Sequence, residues 1–350
     1  MKCTDHGNRY FIWYLSGLVL PANEKIIIVY KRTTFAINKT LMNKAILKYL
    51  LITLRGMGMG AADIIPAVSG GTIALITGIY EKLIASIKSL NPALLKIAYK
   101  EGIHAAWKKV NGDFLLALFA GIFISIFSLA RLISWLLDNH PILVWAFFFG
   151  LIAASAIFLW KQIKSNKLIS FLFLIAGAIV TFYITLVSPA NTPNSMIYVF
   201  GAGCIAICAM ILPGISGSFI LLLLGKYVFI LGAVNELKID VLAVFAAGCA
   251  IGLVSFANVI SWLFKKYPNQ TLALLTGFML GSLNKLWPWK ELVETRITQE
   301  GEIIPLLEKN VMPYNFIGDP LLYQAIFIAI CGFIVVFLFE RLASAKKIDS

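Results

Sequence analysis

Two short stretches of this chain carry residue types suited to holding an anion. Pro66-Ala67-Val68-Ser69-Gly70-Gly71 and Pro213-Gly214-Ile215-Ser216-Gly217-Ser218 match position for position, and each interrupts a pair of apolar runs. Proline and glycine breaking a helical pair at corresponding places in two halves mark the binding region of many secondary transporters. Non-helical backbone at membrane depth is tolerated only where it is buried or lines a polar cavity. The helix after each Ser-Gly step is expected to aim its free N–H groups and positive dipole end at the turn. With Gly70, Gly71 and Gly217 allowing close approach, and the hydroxyls of Ser69, Thr72, Ser216 and Ser218 alongside, a phosphate would suit such a turn. A plainer reading also stands, in which these are tight interfacial turns whose glycines serve close packing.

Few charged groups lie near these turns. Asp63 stands three residues before Pro66, and its counterpart in the second stretch is Met210. An ionisable group inside a membrane is a functional hypothesis by default, so Asp63, and Glu81 beyond it, are candidates to carry a coupling proton or cation. A helix cap is the competing role for Asp63. Arg55 and Lys226 are candidate phosphate ligands, although Arg55 sits where it could reach lipid head groups and Ile79 stands opposite Lys226 in the repeat. Gly56-x-Gly58-x-Gly60 resembles half a dinucleotide fingerprint, but no strand precedes it, and close helix packing explains it better. Five cysteines show no ligand spacing, and His6, His104 and His140 fall outside the apolar segments. No metal, no cofactor and no catalytic residues are therefore expected.

The elements that position these residues follow from composition. Of 350 residues, 60% are hydrophobic and 13% charged, and the mean hydropathy is +0.86. Globular chains carry about 25% charge, so this is an all-α polytopic membrane protein. The net charge of +13 reports membrane topology, and nucleic acid is not expected as a partner. Apolar segments are expected at 45–65, 72–90, 114–137, 142–160 and 168–187, then at 196–212, 218–235, 241–264, 271–287 and 321–342. An interfacial amphipathic helix is expected over 94–110.

The two sets of five segments are copies. Beyond the turns, Gly78-Ile79-Tyr80 matches Gly225-Lys226-Tyr227, Ile133-Ser134-Trp135-Leu136 matches Ile260-Ser261-Trp262-Leu263, and Pro141 matches Pro268. If the first two segments of each copy form a re-entrant helical hairpin, a copy crosses three times; if they span, five. Either number is odd, so the copies are expected to be inverted, with the first over 42–190 and the second over 191–347. Loop charges agree: Lys96, Lys100, Lys108, Lys109, Lys161, Lys164, Lys167, Lys265, Lys266, Arg341, Lys346 and Lys347 all fall inside, together with both termini. Residues 1–41 read as an extension before a natural start at Met42. They hold six basic and two acidic residues, so that start would leave +9.

Met59-Gly60-Ala61-Ala62-Asp63-Ile64-Ile65-Pro66-Ala67-Val68-Ser69-Gly70-Gly71-Thr72, Thr77-Gly78-Ile79-Tyr80-Glu81 and Leu212-Pro213-Gly214-Ile215-Ser216-Gly217-Ser218 resemble the signatures of the polyprenyl-phosphate transporter family. The likeness runs from Met42 to about Lys347. It implies a bacterial inner-membrane protein that returns undecaprenyl phosphate to the cytoplasmic leaflet, with the lipid phosphate as ligand and membrane lipids as surroundings. It marks Asp63, Pro66, Ser69, Gly70, Gly71, Thr72, Glu81, Pro213, Ser216 and Gly217. Ala67 departs from the pattern, where glycine is expected as at Gly214. Two other functions remain beside lipid transport: carriage of a small soluble anion on the same hairpins, and a membrane-embedded lipid phosphatase, which would need a nucleophile and an acid-base partner.

Overall fold

The computed structural model describes residues 46–65, 68–164, 167–190, 192–297 and 303–345. The chain divides between Leu51 and Ile52 into two units. In the first, residues 46–51 are helical; everything below concerns the second, residues 52–350.

Apolar sequence without interior proline folds here into helices in a repeating succession. A helix ending at residue 64 (α1) leads to two short helices, α2 (Gly70–Ile76) and α3 (Tyr80–Lys88). After α4 (Pro92–Glu101) and α5 (Ile103–Lys109) come α6 (Gly112–Asn139), α7 (Pro141–Gln162) and α8 (Lys167–Leu186). The succession then recurs as α9 (Met196–Ile211), α10 (Gly217–Leu223), α11 (Tyr227–Asn235), α12 (Ile239–Lys266), α13 (Pro268–Ser282) and α14 (Leu322–Ala345). Proline at the first helical position starts both α7 and α13, where its missing N–H costs nothing.

Among the described residues four helices, α6, α7, α8 and α12, are long and apolar enough to cross a membrane, and the bent pairs α2–α3 and α10–α11 raise the number to six if each is one span. Large apolar side chains such as Phe127 and Tyr183 face outward on α6 and α8, as expected for surfaces bathed in lipid. The chain is a multi-pass membrane protein.

Three local expectations are corrected. The second segment of each copy, expected as one helix over 72–90 and 218–235, is two helices bent by 118° in the first copy and 110° in the second. Gly78 (φ +71°) and Gly225 (φ +65°) sit at the bends in the left-handed conformation that glycine adopts at no steric cost. The amphipathic helix expected over 94–110 is likewise broken, into α4 and α5, at Gly102 (φ +91°). The connection 288–320, expected as a loop, contains an antiparallel hairpin of β1 (Lys290–Ile297) and β2 (Ile303–Asn310).

Glycines set how closely the helices approach. A Cβ at Gly56 would come within 2.2 Å of the Leu118 carbonyl oxygen, and one at Gly121 within 2.0 Å of that of Thr53. The equivalent crossing in the second copy repeats this: Gly203 against Phe245 at 2.5 Å and Gly248 against Phe200 at 2.2 Å. Gly60 meets Ile122 further along, so α1 and α6 run in the same direction, and the connection from α2 to α5 returns the chain to the level from which α6 starts. The final helices are exchanged between copies: α8 packs on α13 through Gly177, Gly277 and Gly281, and α14 packs on α7 through Gly150 and Gly332. Such close backbone contact is how helices associate in lipid, where water supplies no drive.

Candidate functional site

The two Ser-Gly turns meet. Ser69 precedes α2 in extended conformation, and its buried hydroxyl does two jobs: it accepts the Gly71 N–H at 3.1 Å and donates to the Met210 carbonyl at 3.0 Å. Thr72, fully buried, accepts the Gly214 N–H at 2.9 Å. Gly71 lies so close to the second copy that a Cβ there would come within 2.5 Å of the Ile211 carbonyl oxygen. Residues 69–72 of one copy are thus hydrogen-bonded to residues 210–214 of the other. Gly214 reaches its place with φ +85°, a conformation that L side chains rarely adopt.

The turns are not equivalent. In the first, Asp63 extends its carboxylate to the start of α2 and accepts the Gly70 N–H at 2.7 Å. Gly71 N–H goes to Ser69 Oγ and Thr72 N–H to the Ser69 carbonyl. The donors that sequence reasoning offered to a phosphate are occupied by the protein's own acceptors. In the second, Met210 stands in Asp63's place, Ser216 Oγ lies 2.8 Å from Ser218 Oγ, and the Ser216 side chain caps nothing. Both α2 and α10 are seven residues long. Two turns of helix supply only a fraction of a full macrodipole, so the dipole contribution expected from the sequence shrinks.

The remaining candidates scatter. Lys226 is fully buried, but its ammonium donates to the Thr192 carbonyl, the Pro193 carbonyl and Asn194 Oδ1, each at 2.7 Å. All three of its protons are used to tie the 192–194 segment to the start of α11. Arg55 is half-buried on α1 and takes no part in either turn among the described residues. Glu81 is exposed in the first turn of α3. Pro213 lies between the Ile211 and Gly214 contacts; Pro66 and Ala67, like the extension 1–41, lie outside the described residues.

The structure adds a residue that the sequence reading passed over. Lys285 lines a small, partly open cleft beside the second turn, together with Thr181, Ile184, Ile215, Ser216 and Phe219. Its ammonium is 2.9 Å from Glu308 on β2 and lies over the Phe219 ring at 5.4 Å. Lys290 approaches the same Glu308 oxygen at 3.4 Å, an ion pair without hydrogen-bond geometry, while stacking on Trp145 at 3.9 Å. Burial pushes Lys290 down to about 8, against the pull of Glu308. Burial also acts to raise Glu308, but Lys290 and Lys285 outweigh it and hold the carboxyl below its ordinary value. A lysine at the end of an apolar segment was the available signal; its carboxylate partner, more than twenty residues on in the hairpin, was not.

Residues 59–304 match the VCA0040-like family model, described as undecaprenyl phosphate translocase-like. The chain is similar to a polyprenyl-phosphate transporter of Vibrio cholerae, with 52% identity over 270 residues covering 77% of this chain and 88% of that one. It is also similar to a polyprenyl-phosphate transporter of Staphylococcus aureus, at 33% identity over 255 residues, 67% of this chain and 85% of the relative. No solved structure matches it. The matched span holds both Ser-Gly turns, their junction and Lys285, and on that span the chain belongs to the undecaprenyl phosphate translocase-like family.

Proposed function

We propose that this protein moves polyprenyl phosphate, undecaprenyl phosphate in particular, across the bacterial cytoplasmic membrane for lipid-carrier recycling, by alternating access. The observation that carries the reading is the junction of the two interrupted segments. Ser69 and Thr72 bind Met210 and Gly214, so movement of one copy against the other must begin by parting two hydrogen bonds at one spot. Relatives named polyprenyl-phosphate transporters at 52% and 33% identity support the substrate.

The two copies are inverted in this proposal. Each begins with a re-entrant unit, α1–α2–α3 or α9–α10–α11, and then crosses three times. Packing supports it: Lys164, on the side assigned to the cytoplasm, donates its backbone N–H to Asn269, next to Lys265 and Lys266. At the other end, the segment 192–194 meets Lys226, and Asn284 donates to Thr185. Both termini are then cytoplasmic and the β hairpin lies outside. Asp63 is the coupling carboxylate: protonation would weaken its hold on Gly70 N–H and release the first turn. A transporter, not an enzyme, is favoured because no apolar segment holds a histidine and no paired acids occur there.

The test is reconstitution into proteoliposomes loaded on one leaflet with a polyprenyl phosphate, with inorganic phosphate uptake as the control. Lipid movement without inorganic phosphate uptake is expected, and Ser69→Ala with Ser216→Ala should impair it in protein that still reconstitutes. Uptake of the inorganic anion alone would replace the lipid with a soluble substrate. Phosphate release would indicate the phosphatase.

A further inference from the structure

We propose that the cleft beside the second turn is a phosphate-monoester subsite, in which Lys285 passes from Glu308 to the ligand. The inference rests on the transport reading for its lipid, but the site is argued from the cleft alone. Two lysines converge on a single carboxylate oxygen there, Lys285 at 2.9 Å and Lys290 at 3.4 Å, leaving one positive charge in excess. Lys290 is held by burial against Trp145, with only 8% of its side chain exposed. Lys285 is the more exposed of the two, at 24%, and it faces the cleft. When Lys285 turns toward an anion, Lys290 stays and neutralises Glu308. That division explains why one carboxylate needs two lysines.

A second observation points to a ligand independently. Thr181 lines the same cleft with 1% of its surface exposed, and its Oγ1 has no hydrogen-bond partner among the described residues. A buried hydroxyl left unpaired costs free energy that a bound acceptor would recover. Ser216 and Ser218 share one hydrogen bond between two hydroxyls, so one O–H remains to donate. By contrast Thr185 is spent: it donates to the Phe182 carbonyl and accepts from Asn284. The donors available are therefore an ammonium, the Thr181 hydroxyl and one serine hydroxyl, converging from the turn after α13, from α8 and from the second Ser-Gly turn. Such a set fits the three terminal oxygens of a phosphate monoester. Ile184, Ile215 and Phe219 complete the wall with apolar surface, which suits a phosphate carrying a prenyl chain.

This also accounts for the asymmetry of the turns. The first is closed by its own carboxylate, Asp63 on Gly70. The second has methionine at that position and a cationic cleft beside it. In the proposed orientation this cleft opens on the hairpin side, the outer face, where a carrier to be returned inward would be collected.

Full-length protein in detergent would be titrated with inorganic phosphate, with farnesyl phosphate and with farnesol, reading binding isotherms and ligand-induced thermal shift. Wild type is expected to bind both phosphates and not farnesol. Lys285→Met should weaken both by about tenfold or more, the loss of one charge-assisted hydrogen bond, and Lys285→Arg should recover part of it. Thr181→Val, nearly isosteric, should weaken binding several-fold with an unliganded melting temperature equal to or above that of wild type, since it removes an unpaired buried hydroxyl. It serves if Lys285→Met does not fold. Lys290→Met should also weaken binding, because Glu308 then keeps Lys285. Wild-type affinity in Lys285→Met and Thr181→Val would overturn the subsite, even in protein that flips lipid in proteoliposomes. Lys285-dependent binding of inorganic phosphate without farnesyl phosphate would uphold the subsite and count against the lipid. Failure of wild type to bind either phosphate would overturn the subsite, with flipping then judging the transport reading separately.

Discussion

Replacing Asp63 separates a structural role from a coupling one. Its carboxylate accepts the N–H of buried Gly70 at 2.7 Å, a charge-assisted bond of the kind that contributes about 1.5–3 kcal/mol. Asp63→Ala leaves that N–H without an acceptor, a loss of about 1–3 kcal/mol. Asp63→Asn keeps a carbonyl acceptor and loses only the charge, so the deficit should fall to about 1 kcal/mol. Melting temperatures in detergent would order the three proteins wild type, Asn, Ala. Asn also mimics a carboxyl that is always protonated, so flipping by Asp63→Asn in proteoliposomes should lose its dependence on pH while the protein stays folded. If Asp63→Ala melts with wild type, the bond does not hold the turn. If Asp63→Asn keeps the wild-type pH profile, coupling belongs elsewhere, with Glu81 the next carboxylate to examine.

Glycine substitutions test the packing directly. At Gly277 a Cβ would stand 2.1 Å from the Leu174 carbonyl oxygen, so Gly277→Ala should destabilise by about 1–3 kcal/mol or prevent folding, as should Gly150→Ala at the equivalent crossing, 1.9 Å from Ala329. Gly201→Ala meets nothing within 4 Å and should be neutral or stabilising by up to about 1 kcal/mol; thermal melts decide both. The hairpin cluster predicts an alkaline effect. Burial lowers Lys290 to about 8 from an ordinary 10.5, so the folded protein binds fewer protons than the unfolded chain between those values. Stability should therefore rise with pH across that window, by up to about 1.4 kcal/mol per pH unit. The rise should vanish in Lys290→Met, and its persistence there, measured by denaturation at fixed pH values, would refute the assignment.

Membrane character, the internal sequence repeat and the two interruptions of the apolar runs were legible in the sequence because each rests on local pattern. Apolar runs of fixed length, a recurring Ser-Trp and Pro, and charge bias between loops need no knowledge of tertiary contacts. The bends within the second segments were less accessible. Gly78 and Gly225 match across the repeat, yet a glycine inside an apolar run is compatible with an unbroken helix until its φ is known. Lys226 shows the same limit from another side. Its type and position suited a phosphate, but the 192–194 segment folds over it and takes its three protons.

What the amino-acid order determined on its own was that two equivalent interruptions exist and that one carries an acid where the other carries Met210. Only the tertiary structure decided that they touch, through Ser69 on Met210 and Thr72 on Gly214, and that Asp63 fills the first turn itself. It alone also brought Lys285, Glu308 and Thr181 to the second turn, from the turn after α13, the β hairpin and α8. The reason is physical. Hydrophobic period and turn chemistry act over a few residues, whereas a donor's partner is whichever acceptor the packed helices bring within about 3 Å of it. That meeting is set by glycine-lined crossings between segments distant from one another in the sequence.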